Sequence, residues 1–152
     1  MAAAQMLMTT HYAAAQTELF VSRRLTPSEV IFTKHIEGPA VDAAGVLYVP
    51  NYLRDGTIGA LKPGSTQPEL FATLPAGSIG NGLRIDADGR MYVADFSGHN
   101  VFVIERGETK ARVFFSSKDF NQPNDLAVAN DGTLYASDPN FSPKRSKRPN
   151  QV

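Results

Sequence analysis

Cysteine is absent from all 152 residues. That excludes a disulfide framework, a thiolate metal site and a thiol nucleophile, and it leaves the compartment open. Histidine is scarce. His11, His35 and His99 are scattered without metal-ligand spacing, and there is no HExxH zinc motif. Net charge is also lacking, since 15 basic and 15 acidic residues cancel. No bulk attraction toward nucleic acid or an anionic membrane follows, and neither partner is expected. No apolar run approaches the roughly 20 residues of a membrane-spanning helix. Ser116-Ser117 lacks a nucleophile elbow and a base, which removes support for a serine hydrolase. Asp88-Gly89 and Asn130-Asp131-Gly132 lack the ligand spacing of an EF-hand.

What the chain does contain is one pattern written three times, over Glu37–Asn51, Asn81–Asp95 and Asn124–Asp138. The copies start 44 and 43 residues apart, a period that points to stacked or radially arranged units. Each copy opens with a short apolar strand, such as Leu83-Arg84-Ile85. A four-residue turn ending in glycine follows, at Asp42 to Gly45, Asp86 to Gly89 and Ala129 to Gly132. A second strand then carries tyrosine in register, at Tyr48, Tyr92 and Tyr135, which alternation places on one face.

The second copy continues through a turn at Ser97 to Asn100, a third strand at Val101 to Ile104, a turn at Gly107 to Thr109 and a fourth strand at Ala111 to Phe115. The first copy shows the same plan, with strands at Thr57 to Leu61 and Glu69 to Leu74. Four strands at this period match one propeller blade, so the fold class is all-β, with about two and a half blades. A solenoid has shorter periods and no four-strand unit.

The flanks are organised differently. Residues 1–18 are read as a disordered leader or a signal remnant. Ala13-Ala14-Ala15-Gln16 is similar to a signal-peptidase site, but no basic stretch precedes it. A cytoplasmic location is preferred, with export as the alternative. Residues 19–140 form the partial propeller, with Leu19 to Val21 and Val30 to Phe32 as short β-like runs and Thr26 to Glu29 as a candidate helical turn. Residues 141–152 carry four basic residues, two prolines and no strand pattern, and are read as a solvated tail. A truncation or shifted reading frame is expected there.

The first residue of each copy is Glu37, Asn81 or Asn124. In a radial fold these oxygen-bearing side chains face one axis, where a hard metal ion can sit. Asp125 is expected to face the same place. Asn51, Asp95 and Asp138 end the second strands and are expected to bond the turns that follow. His35 is expected to be an ordinary strand-end histidine.

The chain resembles the calcium-dependent propeller hydrolases that include gluconolactonase, regucalcin (senescence marker protein) and diisopropyl fluorophosphatase. The likeness rests on Glu37-Gly38-Pro39, on Gln122-Pro123-Asn124-Asp125-Leu126, and on Asp131-Gly132-Thr133-Leu134-Tyr135 with Ser137-Asp138-Pro139. It covers about residues 30–140 and implies a six-bladed propeller with calcium at the centre of its tunnel. It also implies metal-ligand roles for Glu37 and Asn124, a tunnel-lining role for Asn81, and a small lactone or ester substrate. Catalytic residues are not assigned. The family's other two protein ligands, an Asn and an Asp, lie in later blades than this sequence spans. Two alternatives stand beside the hydrolase: a non-catalytic propeller module of the NHL type, which Val93-Ala94-Asp95 with His99-Asn100-Val101 resembles, and an inactive fragment. Strand edges left open by a partial ring are expected to drive self-association.

Overall fold

The computed structural model describes residues 22–26 and 31–141. The expected leader, the run at Leu19 to Val21, most of the candidate turn at Thr26 to Glu29 and the tail beyond Phe141 lie outside the described residues. Ten strands and no helix are present among those described. The first sheet runs β1 (Ala40–Val41), β2 (Leu47–Pro50), β3 (Thr57–Leu61) and β4 (Glu69–Thr73). The second runs β5 (Gly80–Ile85), β6 (Met91–Asp95), β7 (Asn100–Ile104) and β8 (Arg112–Ser116). A hairpin of β9 (Leu126–Val128) and β10 (Leu134–Ala136) follows. Each sheet is an antiparallel meander in sequence order. These are two complete propeller blades and the inner half of a third.

The glycine-ended turns form alike in all three copies. The amides of Gly45, Gly89 and Gly132 each donate 3.0 Å to the carbonyl three residues earlier. All three glycines have φ between 80° and 85°. This is a type I turn closed by a left-handed residue, the usual three-residue hairpin connection, and it disfavours a side chain at that position. In the first two copies the turn aspartate adds further bonds. Asp42 Oδ1 accepts from the amides of Ala44 and Val46, and Asp86 Oδ1 from those of Asp88 and Arg90. The remaining carboxylate oxygen explains the tyrosine register. Tyr48 donates its hydroxyl to Asp42 Oδ2 at 3.1 Å, and Tyr92 donates to Asp86 Oδ2 at 3.3 Å. The third copy has Ala129 at this place, and Tyr135 is exposed.

Sheet packing follows from strand alternation. Along β6 and β7, Met91, Val93, Phe102 and Ile104 pack with Ile58, Ala72 and Leu74 of the first blade region. The alternate residues Tyr92, Ala94, Val101 and Val103 pack with Leu126 and the β9–β10 hairpin. Both faces of β6 and β7 are therefore buried, which is why these strands read as continuous apolar runs. The hairpin covers only the inner part of its side. Farther out, Val113, Phe114 and Phe115 of β8 remain about half exposed, at 49–53%. Phe114 still meets Tyr92 edge-on at 5.1 Å.

The sequence placed Asn81 before an inner strand, but the structure puts it inside β5. Leu83 pairs with Val93 and Gly80 with Asp95, so β5 holds one extra residue at a β-bulge around Asn81 and Gly82. An unpaired residue at a bulge can direct its side chain differently from the regular alternation.

Two outcomes are expected. Burial, then the hydrogen bond to Asp42 and its negative charge, push the Tyr48 phenol from 10.0 up to about 12. The stabilisation is fully present below pH 10 and is lost as pH rises toward 12. Urea unfolding followed from pH 8 to pH 12 should show a smaller alkaline loss in Tyr48→Phe than in wild type. Second, we propose that the half-exposed β8 strand and a β10 edge that pairs with no further strand among the described residues make the 152-residue chain self-associate. Sedimentation velocity should show mass rising with concentration, whereas a clean monomer contradicts it.

Candidate functional site at the inner strand ends

The inner strands approach each other closely where the three copies begin. Leu83 N donates to Gly38 O at 2.9 Å, and Gly82 N donates to Asn124 O at 2.7 Å. A Cβ on Gly82 would lie 2.5 Å from Asp125 Oδ1 and 2.9 Å from the Asn124 carbonyl oxygen. One on Gly38 would lie 3.2 Å from the Gly82 Cα. Glycine after Asn81 is thus a requirement of blade spacing, and glycine after Glu37 relieves a tight contact.

A second set of contacts fixes the chain entering each copy. Buried Asp95 accepts from Ser78 Oγ and Ile79 N upstream of β5, from Gly98 N in the turn beyond β6, and from Asn100 Nδ2 at the start of β7. Asp138 accepts from the amides of Asn121 and Gln122 upstream of β9. Asn51, with φ 60°, donates to the carbonyls of His35 and Gly80 and accepts from Gly56 N. The expected bonds to following turns exist for Asn51 and Asp95. The longer reach back to each entering segment was not legible, because nothing local in sequence encodes it.

These constraints bring Glu37, Asn81, Asn124 and His35 to the lining of one cavity of about 260 Å³. Ile79, Phe96 and Phe141 complete most of its wall. Asn81 is only 7% exposed, and its side chain has no hydrogen bond to another described residue. No fully buried side-chain polar atom lacks a partner, so the Asn81 amide meets the cavity space. Asp125 is not brought to the lining. Its carboxylate pairs with the Arg84 guanidinium at 2.8 Å and accepts from Leu126 N. A larger hollow of about 320 Å³ lies at the opposite end of β5, beside Tyr48, Met91 and Ile104. The carboxylates of Asp42 and Asp86 there are committed to their turns and tyrosines, so the smaller cavity has the better claim to chemistry.

His35 has a partner the sequence did not reveal. Its Nδ1 lies 3.1 Å from Asp55 Oδ2. The Thr33 side chain is the largest influence on Asp55. With the bond to His35, it outweighs burial and holds the carboxyl below its usual range. An ionised carboxylate accepts only, so Nδ1 donates in this contact, and in the neutral imidazole Nε2 is then the ring's acceptor.

Among the described residues no three His, Asp or Glu side chains form a metal-holding group. The cavity instead offers one carboxylate and two amide oxygens. That donor set fits a hard cation such as calcium, which takes six to eight oxygens and accepts water for the remainder. Glu37, Asn81 and Asn124 are the side chains able to contribute.

No family model matches the chain. A curated gluconolactonase of Zymomonas mobilis is 30% identical over 89 residues, 53% of this chain and 24% of that protein. The fold is shared with a solved gluconolactonase of Xanthomonas campestris, at TM-score 0.62 and 22% identity, over 74% of this chain and 37% of the other. Over the matched span the sequence is similar to a gluconolactonase, and the β-propeller fold is shared with the solved proteins. A solved putative gluconolactonase gives TM-score 0.60 at 23% identity, over 78% of this chain and 40% of its own. A virginiamycin B lyase of Staphylococcus aureus gives 0.62 at 14%, over 78% and 39%, so the fold is not confined to lactonases. This chain spans about two-fifths of these solved structures and a quarter of the curated relative.

Gly82→Ala is expected to lower stability by about 1–3 kcal/mol through overpacking between blades. Urea unfolding measures it, with Gly64→Ala as a control whose added Cβ meets no atom but whose φ of 75° carries its own backbone cost.

Proposed function

We propose that the chain contributes to a calcium-dependent site that opens lactones or related esters. The observation that carries this is the convergence of Glu37, Asn81 and Asn124, first residues of three repeats, on one cavity. The likeness to gluconolactonases supports the reaction class. Calcium, when bound, supplies Lewis-acid polarisation of the carbonyl to be attacked.

Each residue has a distinct part. Glu37 brings the negative charge that attracts a cation. Asn124 brings a neutral amide oxygen to the same ion. The Asn81 amide, nearly buried and without a protein partner, is suited to hold an oxygen of the substrate. His35, oriented by Asp55, can accept a proton at Nε2 from water and return it to the leaving alkoxide. The lactone C–O bond breaks as the new C–O bond from water forms, giving a hydroxy acid.

The test is a calcium titration with two readouts, melting temperature and glucono-δ-lactone hydrolysis in a pH-stat. Binding at a hundredfold excess over Kd would stabilise wild type by about 2.7 kcal/mol. Glu37→Gln should abolish most of that rise and most of the calcium-dependent hydrolysis. A calcium response that survives unchanged in Glu37→Gln rules out this site, and hydrolysis absent from the wild type rules out the activity.

A further inference from the structure

The aromatic part of the cavity was not predicted and has no role in metal binding. Phe96 follows β6 directly and donates its amide to Ile79 O at 2.9 Å. Phe141 lies 45 residues later in the chain, yet its ring sits 6.2 Å from that of Phe96, tilted by 32°. Both rings line the cavity.

Phe141 is held there by a specific chain of contacts. Asp138, buried, accepts from the Gln122 amide at 2.8 Å. Gln122 in turn accepts from the Phe141 amide through Oε1 at 2.9 Å. Phe141 so positioned is 62% exposed. A large aromatic residue anchored through its backbone while most of its surface stays accessible is burying little on its own account. In the same cavity Asn81 is more than nine-tenths buried, and its amide, without a hydrogen bond to another described residue, meets the cavity space. One cavity thus pairs a polar amide open to it with an aromatic wall.

A ligand that answers both has a carbonyl or ester oxygen for Asn81 and an apolar body for the two rings. The size agrees. At roughly 30 Å³ per water-sized volume, the cavity holds on the order of ten non-hydrogen atoms. We propose that Phe96 and Phe141 are specificity-determining residues that select lactones or esters carrying an aryl or short alkyl body over polyhydroxylated sugar lactones. A sugar lactone presents hydroxyls around its ring, and each hydroxyl turned toward Phe96, Phe141 or Ile79 loses its water without a replacement partner. An aryl lactone instead adds ring-on-ring contact. The proposal rests on the lactone reading for its carbonyl group, but binding tests it separately from turnover.

The experiment uses the full chain with calcium present and two lactams, which resist hydrolysis: 3,4-dihydro-2-quinolinone as the aryl ligand and gluconolactam as the sugar ligand. Titration calorimetry gives Kd for each. The aryl lactam should bind at least about tenfold tighter. Phe141→Ala, an exposed position expected to fold normally, should weaken it about three- to tenfold while leaving gluconolactam unchanged. Phe141→Tyr, which keeps the ring, should restore wild-type binding. Equal affinity for the two lactams, an equal effect of Phe141→Ala on both, or no binding of the aryl lactam overturns the proposal. Hydrolysis of dihydrocoumarin and glucono-δ-lactone separates the two ideas. Selective aryl binding without hydrolysis of either lactone keeps the specificity proposal and removes the hydrolase. Sugar-lactone hydrolysis without aryl preference does the reverse.

Discussion

Backbone contact between neighbouring inner strands is the constraint on which the molecule depends. Leu83 N to Gly38 O and Gly82 N to Asn124 O tie three sequence-distant segments edge to edge, and glycine at 38 and 82 leaves the room. Apolar side chains farther out, such as Ile58, Val93, Phe102 and Leu126, supply most of the burial. They do not fix where the strand ends meet. That is set at the axis, where a single methylene on Gly82 would strike the neighbouring backbone. Glu37, Asn81 and Asn124 share a cavity because each lies beside or within one of these contacts.

Much of the fold was legible because its determinants are local. An aspartate, a glycine three residues on and a tyrosine three beyond that specify a turn, a left-handed residue and a hydroxyl that returns to the carboxylate. All lie within seven residues in the copies beginning at Asp42 and Asp86. Strand ends were read to within a residue or so for β3, β4, β7 and β8. The bulge in β5 was not legible, because it arises from how the Asn81–Gly82 segment meets its neighbours on both sides. Nor was the reach of Asp95 and Asp138 back to the segments entering their blades, which joins residues 16 or 17 apart.

The candidate site divides along the same line. Glu37, Asn81 and Asn124 were picked out by register, with the family resemblance beside it for Glu37 and Asn124, and they line one cavity because repeats of one period put equivalent positions at one place. Asp125 shows the limit of adjacency. It follows Asn124 directly, yet Arg84 of the preceding blade takes its carboxylate. The aromatic wall breaks the repeat altogether. Phe141 sits where the sequence turns basic and proline-rich, and its placement depends on Gln122 and buried Asp138. His35 gains its significance from Asp55, twenty residues away and outside any motif.

The third hairpin has a consequence for how the site behaves in time. It is two strands of three residues, with Ala129 at the turn where the other copies have a bonded aspartate and, among the described residues, with only one of its faces packed on a sheet. Such an element belongs to the low end of the hydrogen-exchange hierarchy, opening by itself well before the second blade unfolds. Asn124 and the anchor of Phe141 both open with it. A ligand bound across Glu37 and Asn124, as proposed, would act as a clasp between the earliest-opening unit and the rest. Part of its binding free energy would then appear as protection of β9 and β10 amides, and amide exchange there would become a direct record of occupancy.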